Sequence, residues 1–278
     1  MERGISIHVG VNHPAGRYDP LSKSEETAWK LAELSFQAGY RAIHVLRGAE
    51  ATRETVGALL TDAARTLLPG DTLFITFSGH GSRVRDAEGD EPDGYDETWC
   101  LHDANLVDDE LAAFWKRLRA GTRALVVADC CFAAGSIRKG GEPMAWCGPQ
   151  APWAWDETIY RSGYGGAWRG VKQHVLQPGS ITAPAHDDGI GASVLLLAAT
   201  GKEQKAKEGV YVKHLLNVWD TGRFPGSFHA LHDEVSARVR HDTHGQDPQL
   251  LMLGAPDSRF PQQRAFHLDR PVMRGGSY

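Results

Sequence analysis

The run Leu73-Phe74-Ile75-Thr76-Phe77 leaves a strand no polar face to turn toward water. A strand of that kind is covered on both sides, the habit of parallel sheets flanked by helices. Leu125-Val126-Val127-Ala128 and residues 192–200 (ASVLLLAAT) repeat the pattern. Residues 5–11 and 41–46 read as two earlier strands and 249–253 as a short last one. Helical spacing fills the intervals. Ala28, Leu31, Ala32, Leu34 and Phe36 form one face, with Ser22 or Ser24 as its cap and Gly39 as its stop. Val56, Leu59, Leu60, Ala63 and Leu67 follow the capping Thr52, and residues 108–119, 210–220 and 227–240 read as three more helices. The alternation predicts an α/β fold: a central, mostly parallel six-stranded sheet between two helical layers.

Two of these buried runs end in reactive residues. The first stops at Ser78-Gly79-His80-Gly81 and the second at Asp129-Cys130-Cys131. In open parallel sheets the carboxyl ends of the strands are where ligands bind. A thiol with an ordinary pKa near 8.5 is mostly protonated at neutral pH, and a nearby imidazole favours the thiolate and can later protonate a leaving amine. His80 and Cys131 are therefore a candidate base and nucleophile. The amides of Gly81 and Cys131 are candidate donors to the oxyanion of a tetrahedral intermediate. Cys130 reads as an ordinary core cysteine.

Composition narrows the alternatives. The chain has 278 residues and a formal charge of −5, with no basic field for nucleic acid or an anionic membrane. It has no segment approaching the roughly 18–20 apolar residues of a membrane span and no signal-peptide pattern, so a cytoplasmic protein is expected. Its four cysteines lack paired CxxC spacing, which points to reduced thiols rather than a zinc ribbon or a disulfide framework. Residues 135–191 are rich in Gly, Pro and Trp without a sustained period, far longer than an ordinary connection.

Four blocks taken together resemble the caspase-like clan of cysteine peptidases, and within it the metacaspases and their prokaryotic relatives. They are Ser78-Gly79-His80-Gly81-Ser82, Asp93-Gly94-Tyr95-Asp96-Glu97, Val107-Asp108-Asp109-Glu110 and Asp129-Cys130-Cys131. The His-to-Cys interval of 51 residues agrees with the caspase interval of about 50. Residues 192–209 also resemble the family's small-subunit strand and the loop after it. The resemblance implies a three-layer αβα caspase-like fold. Its divisions would be a large-subunit-like portion at 1–134, an activation segment at 135–191 and a small-subunit-like portion at 192–278 that completes the same sheet. It implies a cysteine endopeptidase acting through His80 and Cys131, with a substrate pocket lined by Ser78 and Asp129. A carboxylate two residues before the nucleophile can accept a guanidinium through two charge-assisted bonds, so the expected substrate is a protein or peptide with Arg or Lys before the cut.

The segment at 135–191 holds Arg138, Lys139, Arg161, Arg169 and Lys172, all acceptable to such an enzyme or to an upstream activating protease. Trp146, Trp153, Trp155, Tyr160, Tyr164 and Trp168 supply aromatics for a lid over the site or for a satellite cluster. No cofactor is required for the chemistry. Eleven Asp or Glu residues lie between Asp86 and Glu110, and hard oxygen donors suit calcium. The resemblance offers Asp93, Asp96, Asp108 and Asp109 as its ligands.

The chain also departs from the family pattern. Cys131 is followed by Phe132-Ala133-Ala134-Gly135 where metacaspases carry Cys-His-Ser-Gly. Glu26-Thr27 stands where relatives carry Asn-Asp, so the expectation is either a less acidic pocket or Glu25 or Glu26 as the substitute. The aspartate expected beyond the nucleophile is absent from Ser136-Ile137-Arg138-Lys139. Two other readings stand beside the peptidase: a catalytically silent caspase-fold binding protein, and a metal-dependent hydrolase using His80, Asp129 and a cysteine. The second lacks further His or Cys at the same edge. The remaining histidines lack ligand spacing and are expected mostly at the surface.

Overall fold

The computed structural model of the chain describes residues 3–16, 18–85, 95–131, 174–175, 189–201, 204–255 and 257–268. Residues 135–173 and 176–188, with the proposed cleavage positions and the tryptophans, lie outside them, as does Asp93.

Ten strands and five helices are described: β1 (Gly4–Gly10), α1 (Ser24–Ala38), β2 (Ala42–Arg47), α2 (Arg53–Thr66), β3 (Thr72–Ser78), β4 (Gly81–Arg85), β5 (Tyr95–Cys100), β6 (Asn105–Val107), α3 (Asp108–Arg117), β7 (Arg123–Asp129), β8 (His174–Val175), β9 (Ser193–Ala198), α4 (Val210–Trp219), α5 (Phe228–Asp242) and β10 (Gln249–Gly254). The main sheet runs β2-β1-β3-β7-β9-β10-β8. Its first five strands are mutually parallel, and β10 is antiparallel to both β9 and β8. The six long strands are those the apolar runs predict. The two-residue β8, on the outer edge of β10, is an addition that the sequence does not announce.

Alternation of the pleat explains why these runs are apolar throughout. Leu73, Ile75 and Phe77 of β3, with Val126 of β7 and Val194 of β9, pack under α2 and α3. Phe74, Leu125, Val127, Leu195 and Leu197 face the other way, under α1, α4 and α5. Each such strand serves two cores, as period-two geometry demands. A polar exception is tied off internally. His8 Nε2–H donates to Ser35 Oγ at 2.9 Å, because that hydroxyl itself donates to the Leu31 carbonyl. Its Nδ1 accepts from the Thr76 hydroxyl at 3.0 Å. Burial, assisted by His44, pushes the His8 pKa down to about 3, so the ring is neutral.

Helix ends correct one expectation. Neither Ser22 nor Ser24 caps α1; Asn12 Oδ1, from the loop after β1, accepts the amides of Ser24 at 3.0 Å and Glu25 at 3.4 Å. Thr52 caps α2 as its position predicts, accepting from the Thr55 amide at 3.1 Å, and Gly39 closes α1 with φ of 99°. A larger difference is the second sheet, β4-β5-β6, antiparallel throughout. It occupies much of the stretch that reads as an acidic loop. Carboxylates are poor strand formers, so Tyr95-Asp96-Glu97-Thr98 gives a weak strand signal. Here Asp96 and Glu97 are buried all the same.

Candidate active site

β3 and β7 are neighbours, with Ser78 paired in register with Asp129. Each strand's reactive residue comes two positions later, which brings His80 and Cys131 out at the same edge of the sheet. Gly81 shows how close the two chains run. A Cβ built there would stand 1.7 Å from the Cys131 carbonyl oxygen, so no side chain fits.

His80 is half-buried, and its Nε2–H donates to the Asp19 carbonyl at 2.8 Å. That bond fixes the tautomer and leaves Nδ1 as the basic nitrogen. The Tyr18 ring lies against the imidazole, with centroids 5.1 Å apart. Cys131 Sγ accepts the backbone N–H of Ala206 at 3.2 Å, a donor from the segment after β9. Cys130, beside Cys131, is buried in the core under α2 and α3, and burial first, then the charges of Cys131 and Asp129, pushes its thiol well up. It is the less reactive of the two.

The two residues expected to line a substrate pocket are deeply set. Asp129 is 4% and Ser78 1% exposed. Both Asp129 carboxyl oxygens lack a hydrogen-bond partner among the described residues, as does the buried Tyr211 hydroxyl. Burial, then the charge of Glu208, pushes the Asp129 pKa up to about 7. Burial and then Asp129 raise the Tyr211 phenol. The Glu208 carboxylate is held by the amides of Ser22, at 2.8 Å, and Lys23 at the start of α1. The carboxylate whose charge acts on Asp129 is thus that of Glu208 rather than Glu25 or Glu26. Glu26 pairs with Lys30 at 2.6 Å, and the Glu25 carboxylate lies beside Gly48.

The calcium expectation meets a partial set. Asp96, Glu97 and Asp109 are buried, and the Asp108 carboxyl is pushed up to about 9 by burial and then by Glu97, Asp96 and Asp109. Among the described residues no three His, Cys, Asp or Glu groups are arranged to hold a metal ion. Glu110 is engaged elsewhere, with Arg53 and the Val107 amide. A cavity of about 300 Å³ runs from Cys131 between Trp99, Trp115 and Leu251, and neither Ser78 nor Asp129 lines it. His214, His229 and His232 are buried rather than superficial; His214 pairs with Asp242 at 2.9 Å.

Sequence reasoning missed Tyr18, Asp19, Ala206, Glu208 and Tyr211. The segment 192–209 resembles a family loop, which marked the neighbourhood of the last three. For Tyr18 and Asp19, nothing local marks their approach to His80.

A parallel sheet flanked on both faces, with a histidine and a cysteine on adjacent strand ends, is the architecture of the caspase-like clan of cysteine-type peptidases. Comparison with known proteins agrees. The chain superimposes on caspase-1 from Spodoptera frugiperda with a TM-score of 0.55 at 13% identity, over 90% of this chain and 86% of that one, a likeness of fold alone. A crystallised protein from Geobacter sulfurreducens matches with a TM-score of 0.75 at 28% identity, over 96% of this chain and 100% of that one.

Residues 40–138, which hold both His80 and Cys131, match the model of the metacaspase, peptidase C14 domain. The chain is 43% identical over 74 residues to metacaspase-1B of Aspergillus terreus, covering 25% of this chain and 20% of that protein. Likeness to metacaspase-1 of Schizosaccharomyces pombe is 39% over 87 residues, covering 28% and 20%. The chain thus matches about a fifth of the length of these curated relatives.

Proposed function

We propose that this chain is a cysteine endopeptidase that hydrolyses peptide bonds after Arg or Lys through a His80–Cys131 dyad. One observation carries the reading: a buried carboxylate without a hydrogen-bond partner among the described residues, Asp129, lies two residues before the cysteine at the strand edge that also holds the histidine. An unpaired buried carboxylate is costly, and a guanidinium or ammonium arriving from a substrate relieves that cost.

Cys131 passes its proton to His80, and the thiolate attacks the scissile carbonyl carbon. The oxyanion is received by the amides of Gly81 and Cys131; losing one such donor raises a barrier by about 2.7–4 kcal/mol. Collapse of the tetrahedral species breaks the C–N bond, and the imidazolium gives its proton to the departing amine. Water, deprotonated by His80, then attacks the thioester and returns the free thiol and a carboxylic acid. Asp129, Glu208 and Ser78 form the pocket for the basic side chain.

Cleavage within 135–191, by this chain or by an upstream protease, belongs to the same reading as the activating event. The described carboxylates do not by themselves make a metal set, so no step is routed through calcium. The net charge of −5 favours neither nucleic acid nor membrane as a partner. Among the described residues no helix is long and apolar enough to cross a membrane.

The test uses fluorogenic peptides ending in Arg, Lys, citrulline or Asp, beside Cys131→Ala. Cleavage after Arg or Lys that vanishes in the variant is the expected result. No turnover of any peptide, even after the 135–191 segment is nicked, would favour a silent caspase-fold binding protein.

A further inference from the structure

Tyr18 takes no part in the steps above, yet it is packed against the base. A histidine flanked by Gly79 and Gly81 has no adjacent side chains to wedge its ring, so a wall must come from elsewhere. The planes of the Tyr18 and His80 rings are inclined at 30° with centroids 5.1 Å apart, a tilted contact at the separation of interacting aromatic pairs. Residues 18 and 19 therefore touch the imidazole on its face and at Nε2. Cys100 anchors both partners: its thiol donates to the Tyr18 hydroxyl at 3.4 Å, and its amide donates to the His80 carbonyl at 3.0 Å.

A ring whose one hydrogen bond among the described residues is at Nε2 can rock about that bond. We propose that Tyr18 is a positioning residue for His80: its ring blocks this motion and keeps Nδ1 directed toward the nucleophile. An aromatic face also favours the imidazolium that forms when Cys131 gives up its proton. The titratable neighbours of this arrangement are the Tyr18 phenol, the Cys100 thiol and, across Gly81, the Cys131 thiol; Asp19 approaches through its main chain. The inference rests on the dyad reading, and its test separates the two.

Wild type, Tyr18→Phe, Tyr18→Leu and His80→Ala are compared by iodoacetamide alkylation of Cys131 against pH, read by peptide mapping, and by kcat and KM on an Arg peptide. Misplaced reacting groups cost up to about 100-fold, so Tyr18→Leu is expected to lower kcat roughly 10- to 100-fold with little change in KM. The onset of rapid alkylation moves to higher pH, and Tyr18→Phe, which keeps the ring, restores most of both. Equal behaviour of wild type and Tyr18→Leu overturns the proposal, as does equal loss in the Phe and Leu variants. If Tyr18→Leu fails to fold, the imidazole proton resonances of His80 in the wild type decide: ring-current upfield shifts support the contact, and unshifted positions overturn it. Alkylation that depends on His80 and Tyr18 in a protein that cleaves no peptide would sustain the positioning role while the peptidase reading falls. Cleavage indifferent to Tyr18 would do the reverse.

Discussion

The carboxyl of Asp129 is held at odds with its own ionisation. Its pKa of about 7 in the fold stands above the ordinary value of 3.8. Between those two pH values the folded chain keeps a proton that the unfolded chain has lost. Stability therefore falls as pH rises through that window, and the whole cost, on the order of a few kcal/mol, is present above it. Asp129→Asn removes the cost. Thermal melts should show the variant more stable than wild type at pH 8, with the gap closing at pH 5, while cleavage after Arg is lost. In the wild type, KM for an Arg peptide should rise as pH falls below about 7, because Asp129 is then neutral; a citrulline peptide should show no such rise. Glu208→Gln withdraws a neighbouring charge and should move that limb to lower pH. Gly81→Ala meets the Cys131 carbonyl and should abolish turnover even where the variant folds. His80 and Cys131 were legible in the sequence because apolar runs stop at them. Glu208, Tyr211 and Tyr18 were not, since each reaches the site from a distant part of the chain and only packing brings it there.

Elements were read best where burial dictates composition. The six long strands and the five described helices follow from runs apolar on both faces and from helical spacing. The β4-β5-β6 sheet escaped notice because its strands carry buried carboxylates, which sequence patterns assign to solvent. The start of α1 was misjudged for a related reason: its cap, Asn12, is borrowed from the loop after β1. Asn12→Ala should cost about 1 kcal/mol, measured by denaturant midpoint, since a lost cap leaves helix amides unpaired. The same loop leads into Tyr18 and Asp19, so some loss of turnover should accompany it.

At the scale of the whole molecule, the sheet joins what the sequence separates. β9 pairs with β7 in parallel over Arg123↔Ser193 to Ala128↔Ala198, and both apolar cores run across that seam. A chain nicked between residues 140 and 170 should therefore elute from a sizing column as one particle and come apart only in denaturant. Further ties hold the segment after β9 to the residues that lead into β10. Gln204 Oε1 accepts the Asp247 amide at 2.8 Å, and Gln246 Oε1 accepts the Lys207 amide at 3.0 Å. Together with Glu208 on the amides of residues 22 and 23, they suspend the segment after β9 between the two ends of the fold.

The amide on the Cys131 sulfur belongs to Ala206, 75 residues downstream. During synthesis the ribosome delivers His80 and Cys131 long before it delivers that amide, or the Glu208 carboxylate two residues later. A nascent or prematurely released chain thus carries His80 and Cys131 on an unfinished sheet, without the amide that meets the thiol or the carboxylate whose charge acts on Asp129. Under the proposed function, a chain ending before Ala206 should therefore cleave no Arg peptide, which a stop codon placed at residue 200 would check.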